Sequence, residues 1–335
     1  MDGFQRLPVD TLKLLFSMVD ISVTVKQIEV RYVNSGRGRP CYPVRSMLLA
    51  LLFMRFEAIP SMRKLCLRLE KRRYAREICE FKDRAPDHTT FSKFIKRGKP
   101  ENIEGLFREL REQAFMMGIV DTEIAAKLSV DSTFIKAYSR RGRKGGISDR
   151  GARVGKTERR SYRLGWRAHT AASMSALPIA YMVRAANVND KDMVNPLLRT
   201  ASRLLKRYGN RISYVIADRQ YYSADVFRTI RAFRAEPVIP HPLKVKDPLI
   251  NLWVTKRFKV RGKPELVEIY KLRMAMERAF KAGKLELAMD NLRWRGAAKV
   301  RMHVAICYAC IYAVAVTAHK IGRPDLANSI KTFAY

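Results

Sequence analysis

At about residue 124 the apolar residues of this chain change period, and that change limits the fold more than any other feature. Before it, apolar residues recur at helical spacing. Residues 10–19 and 43–57 read as helices, Ser61 is placed to cap a third over 62–71, and 74–81 makes a short fourth. The turn Pro86-Asp87-His88-Thr89-Thr90 opens another helix, with Phe91, Phe94 and Ile95 on one face and Lys93, Lys96 and Arg97 on the other. Residues 101–117 form the last, so 1–120 is predicted to be an all-helical domain. After the change, 127–137 is rich in β-formers, and 165–173 and 177–185 suit a hairpin through Met174-Ser175-Ala176. A helix at 190–208, a strand at 212–217, a helix at 224–234 and a short strand at 237–240 follow, then helices at 265–282 and 295–321. This order predicts a mixed α/β fold, one mixed sheet flanked by helices, over 121–335.

Charge narrows the class of partner. There are 66 Lys and Arg against 31 Asp and Glu, a net +35 spread along the chain. Such a balance favours a polyanion, although nucleic acid, membrane surfaces and acidic proteins all qualify. The 335 residues at 47% hydrophobic content support a real core, unlike most proteins this basic. The segment 139–162 reads as a basic, glycine-rich loop, with Arg140, Arg141, Arg143 and Lys144 suited to ordering on a phosphate backbone or to a solvated insertion. A second small insertion, rich in Pro and Lys, is expected at 242–264.

Five cysteines without a disulfide-dense pattern suit a reducing compartment, and Cys307-x-x-Cys310 lies in an apolar helix with too few neighbouring ligands for zinc. Residues 1–8 lack the apolar stretch of a secretory signal, so a cytoplasmic, nucleoid-associated protein is expected. The apolar run 304–318 is shorter than a membrane span needs and reads as a core helix, so no membrane partner is expected.

Three acids sit where chemistry could be done. Asp131 follows the apolar run Leu128-Ser129-Val130, Asp218 ends Ile212 to Ala217, and Glu277 lies in the 265–282 helix. Two carboxylates on strands and one on a later helix can converge on divalent ions and support in-line attack at a phosphodiester. On that helix Tyr270, Arg273, Glu277 and Lys284 fall on one face, within about 40° of one another. Alone, the stripe is equally an exposed i,i+4 ion pair of Arg273 and Glu277.

In combination the sequence resembles the DDE transposases of bacterial and archaeal insertion sequences. The branch marked by Tyr-x-x-Arg-x-x-x-Glu-x-x-x-x-x-x-Lys is matched at Tyr270, Arg273, Glu277 and Lys284. Val130-Asp131-Ser132-Thr133 matches that family's first acidic strand, and Ala217-Asp218-Arg219-Gln220-Tyr221-Tyr222-Ser223 its second motif, with Gln220 in place of a usual Gly and Tyr222 of a common Asp. Gly165-Trp166-Arg167-Ala168-His169 and Asn187-Val188-Asn189-Asp190 match two further motifs, and Gly38-Arg39-Pro40 through Phe91 resembles the shared N-terminal domain. The likeness runs from about 35 to 318.

The resemblance implies a ribonuclease-H-like core in which Asp131, Asp218 and Glu277 hold two Mg²⁺ (or Mn²⁺) ions for strand cleavage and strand transfer. It implies double-stranded DNA partners, terminal inverted repeats and target, and a homodimer or larger oligomer in the active complex. Arg273 and Lys284 would meet phosphates beside the ions, with Lys93, Lys96 and Arg97 in the helical domain as further contacts. Tyr270 either meets DNA or packs in the core. Asp190 either caps the next helix or contacts DNA, His169 either sits satisfied in the core or contacts DNA, and Trp253 and Trp294, each beside basic residues, either pack or meet unpaired bases. Two other readings remain at this point: an inactive, transposase-derived DNA-binding protein, and a metal-dependent nuclease without strand transfer.

Overall fold

The computed structural model describes residues 10–32, 40–82, 84–139, 146–157, 161–242, 256–259 and 261–334. The chain packs as two compact units, Met1–Ile119 with Lys136–Gly151 and Ala282–Tyr335, and Val120–Ile135 with Ala152–Lys281. The sequence suggests a single boundary near residue 120. The chain does leave the helical unit there, but it returns, and its last 54 or so residues join the N-terminal helices.

The reason for the return is the helix Ala297–Lys320. Every residue from Met302 to Ala318 is buried, so this helix is apolar on all sides and needs protein all round it. It packs on the helices Gly105–Met116, Val44–Phe56 and Thr11–Met18. By length and hydropathy it could cross a membrane, but 94% of its apolar window is buried within the protein, as expected of a core helix. Cys307 and Cys310 are free thiols inside it. The helix Val44–Phe56 is likewise buried on nearly every side.

Local signals account for most of the other helices of this unit. Ser61 caps Met62–Lys71 and Asp87 caps His88–Gly98 through the Lys64 and Thr90 N–H groups. The helix Ser22–Tyr32 is capped in two ways. Its Ser22 N–H donates to the nearby Asp20 carboxylate at 2.9 Å, and the next two, on Val23 and Thr24, donate to the Glu109 carboxylate at 2.9 Å each. The Glu109 cap comes from more than eighty residues away, so local reading could not find it.

The second unit holds a six-stranded sheet among its described residues: β1 (Lys127–Lys136), β2 (Arg153–Lys156), β3 (Tyr162–Ala172), β4 (Pro178–Ala185), β5 (Tyr214–Ile216) and β6 (Glu236–Val238). The order is β2-β3-β1-β5-β6, with β4 also on β3. β3 pairs antiparallel with β2 and β4, while β1 with β5 and β5 with β6 run parallel. This is a mixed sheet, as the order of elements in the sequence predicts. The helix Val194–Arg207 packs on β3 and β4, and Ala224–Ala232 on β6.

Two details differ from expectation. The basic loop at 139–162 is not wholly a loop, because Arg153–Lys156 forms β2, held by the β3 register from Arg153↔Gly165 to Lys156↔Tyr162. The helix expected at 265–282 is two helices, Leu266–Lys271 and Met274–Lys281, followed by a π-helical turn, Ala282–Glu286. At the break, the N–H groups of Leu272, Arg273, Ala275 and Met276 each reach back three residues rather than four. At the turn, Gly283 lies so close to Met289 that a Cβ would stand 2.6 Å from its Cε.

Gly165 serves the sheet in the same way. A Cβ there would meet the Phe134 ring at 2.3 Å and the Ile135 carbonyl at 2.6 Å, on the neighbouring β1. Gly165→Ala is expected to destabilise the protein by about 1–3 kcal/mol through overpacking. Denaturant midpoints of the two proteins measure it, and an unchanged midpoint would show that β1 and β3 can move apart without cost.

Candidate active site

The parallel register of β1 and β5 fixes the first two acids. Leu128 lies beside Val215 and Ser129 beside Ile216. Asp131 is two residues beyond Ser129, and Asp218 is two residues beyond Ile216. Side chains alternate faces along a strand, so both acids leave at one level and on one face, past the carboxyl ends of the parallel pair. The turn after β5 holds Asp218 in place: its carboxylate accepts the Gln220 N–H at 2.8 Å and caps the 3₁₀ turn Arg219–Tyr221. That turn has no left-handed residue at 220, so Gln220 serves there as well as the usual Gly.

Burial and neighbouring carboxylates raise the proton affinity of both acids. Burial, then Asp218 and Asp190, push the Asp131 carboxyl up to about 7, against the Ser132 N–H and the Arg273 guanidinium. Burial likewise raises Asp218, with Asp190 adding to it and Arg273 opposing.

The third acid comes from the helix Met274–Lys281, which packs on β3. Arg273, at the break, ties it to the first: Nη2 donates to Glu277 at 2.7 Å and Nη1 to Asp131 at 3.4 Å. The exposed i,i+4 pair read from sequence exists, but its arginine is three-quarters buried and also holds a strand carboxylate. A guanidinium thus supplies positive charge between two of the three acids. No group of three metal-ligating side chains at ligand spacing occurs among the described residues. The donor set nonetheless fits a hard divalent cation: all three groups offer oxygen, two are held together against their repulsion, and Glu277 is 60% exposed and able to turn.

Around the acids lies a second layer that sequence reading did not assign to the site. Arg167 on β3 donates from Nη1 to the Ser132 hydroxyl at 3.0 Å and to Asp190 at 3.1 Å, and from Nη2 to the Lys156 carbonyl at 2.8 Å. Asp190 is not the expected helix cap, since Asn189 caps that turn by accepting the Lys191 N–H. Its carboxylate faces Arg167 and the fully buried His169, whose Nδ1 lies 3.2 Å away. Burial alone would raise Asp190, but His169, Ser132 and Arg167 together hold it below the usual carboxylate range. Tyr221 is buried with its hydroxyl unpartnered among the described residues, and burial, with Asp131, Asp190 and Asp218 nearby, pushes the phenol well above its ordinary value. The signal for these residues was present in the Gly165-to-His169 and Ala217-to-Ser223 motifs, but nothing in their spacing shows which side chains face the acids.

Other expected site residues fall elsewhere. Tyr270 packs edge-on against Phe258, 5.6 Å between ring centres, beside a cluster of Ile216, Val238 and Leu266. Lys284 is in the π-helical turn of the other unit, so the four-residue stripe is not one continuous helical face. Lys93, Lys96 and Arg97 line the exposed face of their helix, as read. Trp294 packs edge-on against His303 at 5.4 Å. Arg140, Arg141, Arg143, Lys144 and Trp253 lie outside the described residues.

The raised Asp131 makes a signed prediction. Its folded value, about 7, exceeds the ordinary 3.8, so the native state holds an extra proton between those values. Stability should therefore fall as pH rises from about 4 to 7, with the penalty fully present above 7. Asp131→Asn removes it and should stabilise the metal-free protein at pH 8 by at most about 4 kcal/mol, with little effect at pH 4. Melting curves at both pH values decide, and a variant less stable than wild type at pH 8 would contradict the assignment.

Known families and structures resemble the chain as follows. A family model described as "Transposase DDE domain" matches residues 125–313, and one described as "Transposase domain (DUF772)" matches residues 2–97. No curated protein sequence matches the chain. Among solved structures, a piggyBac transposase synaptic complex with hairpin DNA is 12% identical over 98% of this chain and 79% of that one, with a TM-score of 0.49. A Mos1 transposase paired-end complex with left transposon end is 12% identical over 77% of this chain and 82% of that one, at 0.23. A Mos1 mariner paired end complex with Mn is 14% identical over 80% and 84%, at 0.24. The DDE match spans more than half of the chain and includes Asp131, Asp218 and Glu277, and on that ground the chain belongs to the DDE transposases, enzymes that cleave DNA strands and join them.

Proposed function

We propose that Asp131, Asp218 and Glu277 are the metal ligands of an insertion-sequence transposase that binds its element's terminal inverted repeats and inserts them into target DNA. The observation that carries the reading is the β1–β5 register, which sets two carboxylates side by side, with Arg273 linking the first to Glu277. Two Mg²⁺ or Mn²⁺ ions held there would activate the attacking hydroxyl and stabilise the leaving oxygen. The chain's own residues do the rest. Arg273 holds Asp131 and Glu277 before the ions arrive and then turns its guanidinium to a phosphate oxygen. Arg167, Asp190 and Ser132 hold β1 so that Asp131 does not swing away.

DNA affinity rests on the basic surface, with Lys93, Lys96 and Arg97 among the contacts. A homodimer or larger oligomer, acting at the nucleoid in the cytoplasm, would hold two element ends together.

The acids and the surface separate in experiment. Asp131→Asn, Asp218→Asn and Glu277→Gln should each slow Mg²⁺-dependent nicking of an element end by about 10³-fold or more, while gel shifts show DNA binding intact. Cleavage surviving in any one of them removes that residue from the ligand set.

Neutralising Lys93, Lys96 and Arg97 together should weaken binding alike for specific and random duplexes. It should also lower the slope of log affinity against log salt by about 3. An unchanged slope would place the DNA elsewhere.

A further inference from the structure

The helical unit contains a cleft of about 640 Å³, within the range of small-ligand sites. At its base is Arg55, from the buried helix Val44–Phe56, only 1% exposed. Its Nη2 donates to the Ile59 carbonyl at 3.1 Å and its Nη1 reaches the Ala288 carbonyl at 3.5 Å. Its Nε has no partner, and no carboxylate pairs with the guanidinium among the described residues. The Cys307 thiol is a further, uncharged partner. A buried cation with only carbonyls and a thiol beside it is costly, and the natural remedy is an anion. The cleft offers room for one. Arg63, Lys64 and Arg293 stand exposed at its rim, and no acidic residue is among the described residues lining it.

The rest of the lining suits a nucleotide. Trp294 is half-buried in the wall. It packs edge-on against His303, which burial and Arg55 hold neutral by pushing its imidazole down to about 3. His303 Nε2 faces the Met289 carbonyl at 2.8 Å and so carries the proton, which leaves Nδ1 a bare acceptor. Ser61, which caps the ten-residue helix Met62–Lys71, and the helix's first residues Met62, Arg63 and Lys64 also line the cleft.

We propose that this cleft is a binding site for the 5′-phosphorylated end of a DNA strand, with the phosphate toward Arg55, Arg63 and Lys64 and the terminal base against Trp294. Phosphates within a duplex lie on a convex surface and do not enter a cleft, whereas a strand terminus is the part of DNA narrow enough to enter one lined by Arg55. A terminal phosphate monoester also carries nearly two charges against one for an internal diester, and so answers a site with four cations and no acid. The established reaction produces such an end: water attacks the phosphodiester, the P–O bond to the 3′ oxygen breaks, and the products are a 3′-hydroxyl and a 5′-phosphate. The proposal rests on the reading of this enzyme as one that hydrolyses DNA at element ends.

The test uses the full-length Asp131→Asn protein without divalent metal, so that cleavage plays no part. Its affinity is measured for one duplex with a 5′-phosphate, the same duplex with a 5′-hydroxyl, and a closed dumbbell without ends. The 5′-phosphate should tighten binding by about tenfold or more over the other two. Arg55→Met should abolish that preference while leaving dumbbell binding unchanged. Should that buried variant fail to fold, Arg63→Ala with Lys64→Ala, on the exposed rim, should reduce the preference, and Trp294→Ala should do so too. Inorganic phosphate and 5′-dAMP serve as competitors. Both should compete only at millimolar concentration, and tight dAMP binding without any 5′-phosphate preference would assign the cleft to a free nucleotide and overturn the proposal. Equal affinity for all three DNAs overturns the cleft alone, and failure to bind any DNA overturns the functional reading along with it.

Discussion

Two carboxylates released at one level from adjacent parallel strands repel each other, and the active unit is built around that repulsion. The β1–β5 register sets their separation, and the neighbouring strands leave neither acid free to retreat. Burial, with the Asp218 charge added to it, pushes the Asp131 carboxyl up to about 7. Arg273 supplies the compensating charge, and it can do so because the helix breaks at Leu272–Arg273 and directs the guanidinium to both Asp131 and Glu277. Such an arrangement holds like charges together in advance, as a site for divalent cations would need to.

Arg167 and Asp190 extend the same logic outward. One guanidinium is shared between the Ser132 hydroxyl, the Asp190 carboxylate and a β2 carbonyl, so three strands and the turn after β4 are tied to the position of a single acid. That explains why β2 forms inside a segment whose composition suits a loop: Lys156 is held both by its β3 register and by Arg167.

What could be read in the sequence is what depends on neighbours in the chain. The two sheet acids were legible because an apolar run followed by Asp is a local pattern, although β1 runs on past Asp131, and the caps at Ser61 and Asp87 were legible for the same reason. The Ser22–Tyr32 helix was legible only in part, since Asp20 takes the Ser22 N–H locally while Glu109 takes the next two from a distant segment. The break near Arg273 was hidden because a helical stripe with intact spacing looks continuous until three-residue hydrogen bonds interrupt it. Asp190 preceded a helix and so resembled a cap, although Asn189 beside it could do that work and Arg167 lay across the sheet. The grouping of Ala297–Lys320 with the N-terminal helices was also out of reach, because an apolar helix announces that it will be buried but not against what. Arg55 lies within an apolar helical run, where nothing in the sequence sets it apart from an ordinary surface arginine.

The central claim is that the Asp131–Asp218–Glu277 set is a cation site whose first carboxyl is half-protonated near neutrality. Calorimetric titration of the full-length protein with Mn²⁺ at pH 7, in two buffers of different ionisation enthalpy, tests it most directly. The account predicts that binding releases part of a proton, so the apparent enthalpy differs between buffers, and that Asp131→Asn removes the difference. Binding with the same enthalpy in both buffers, or a buffer dependence that survives in Asp131→Asn, would contradict it.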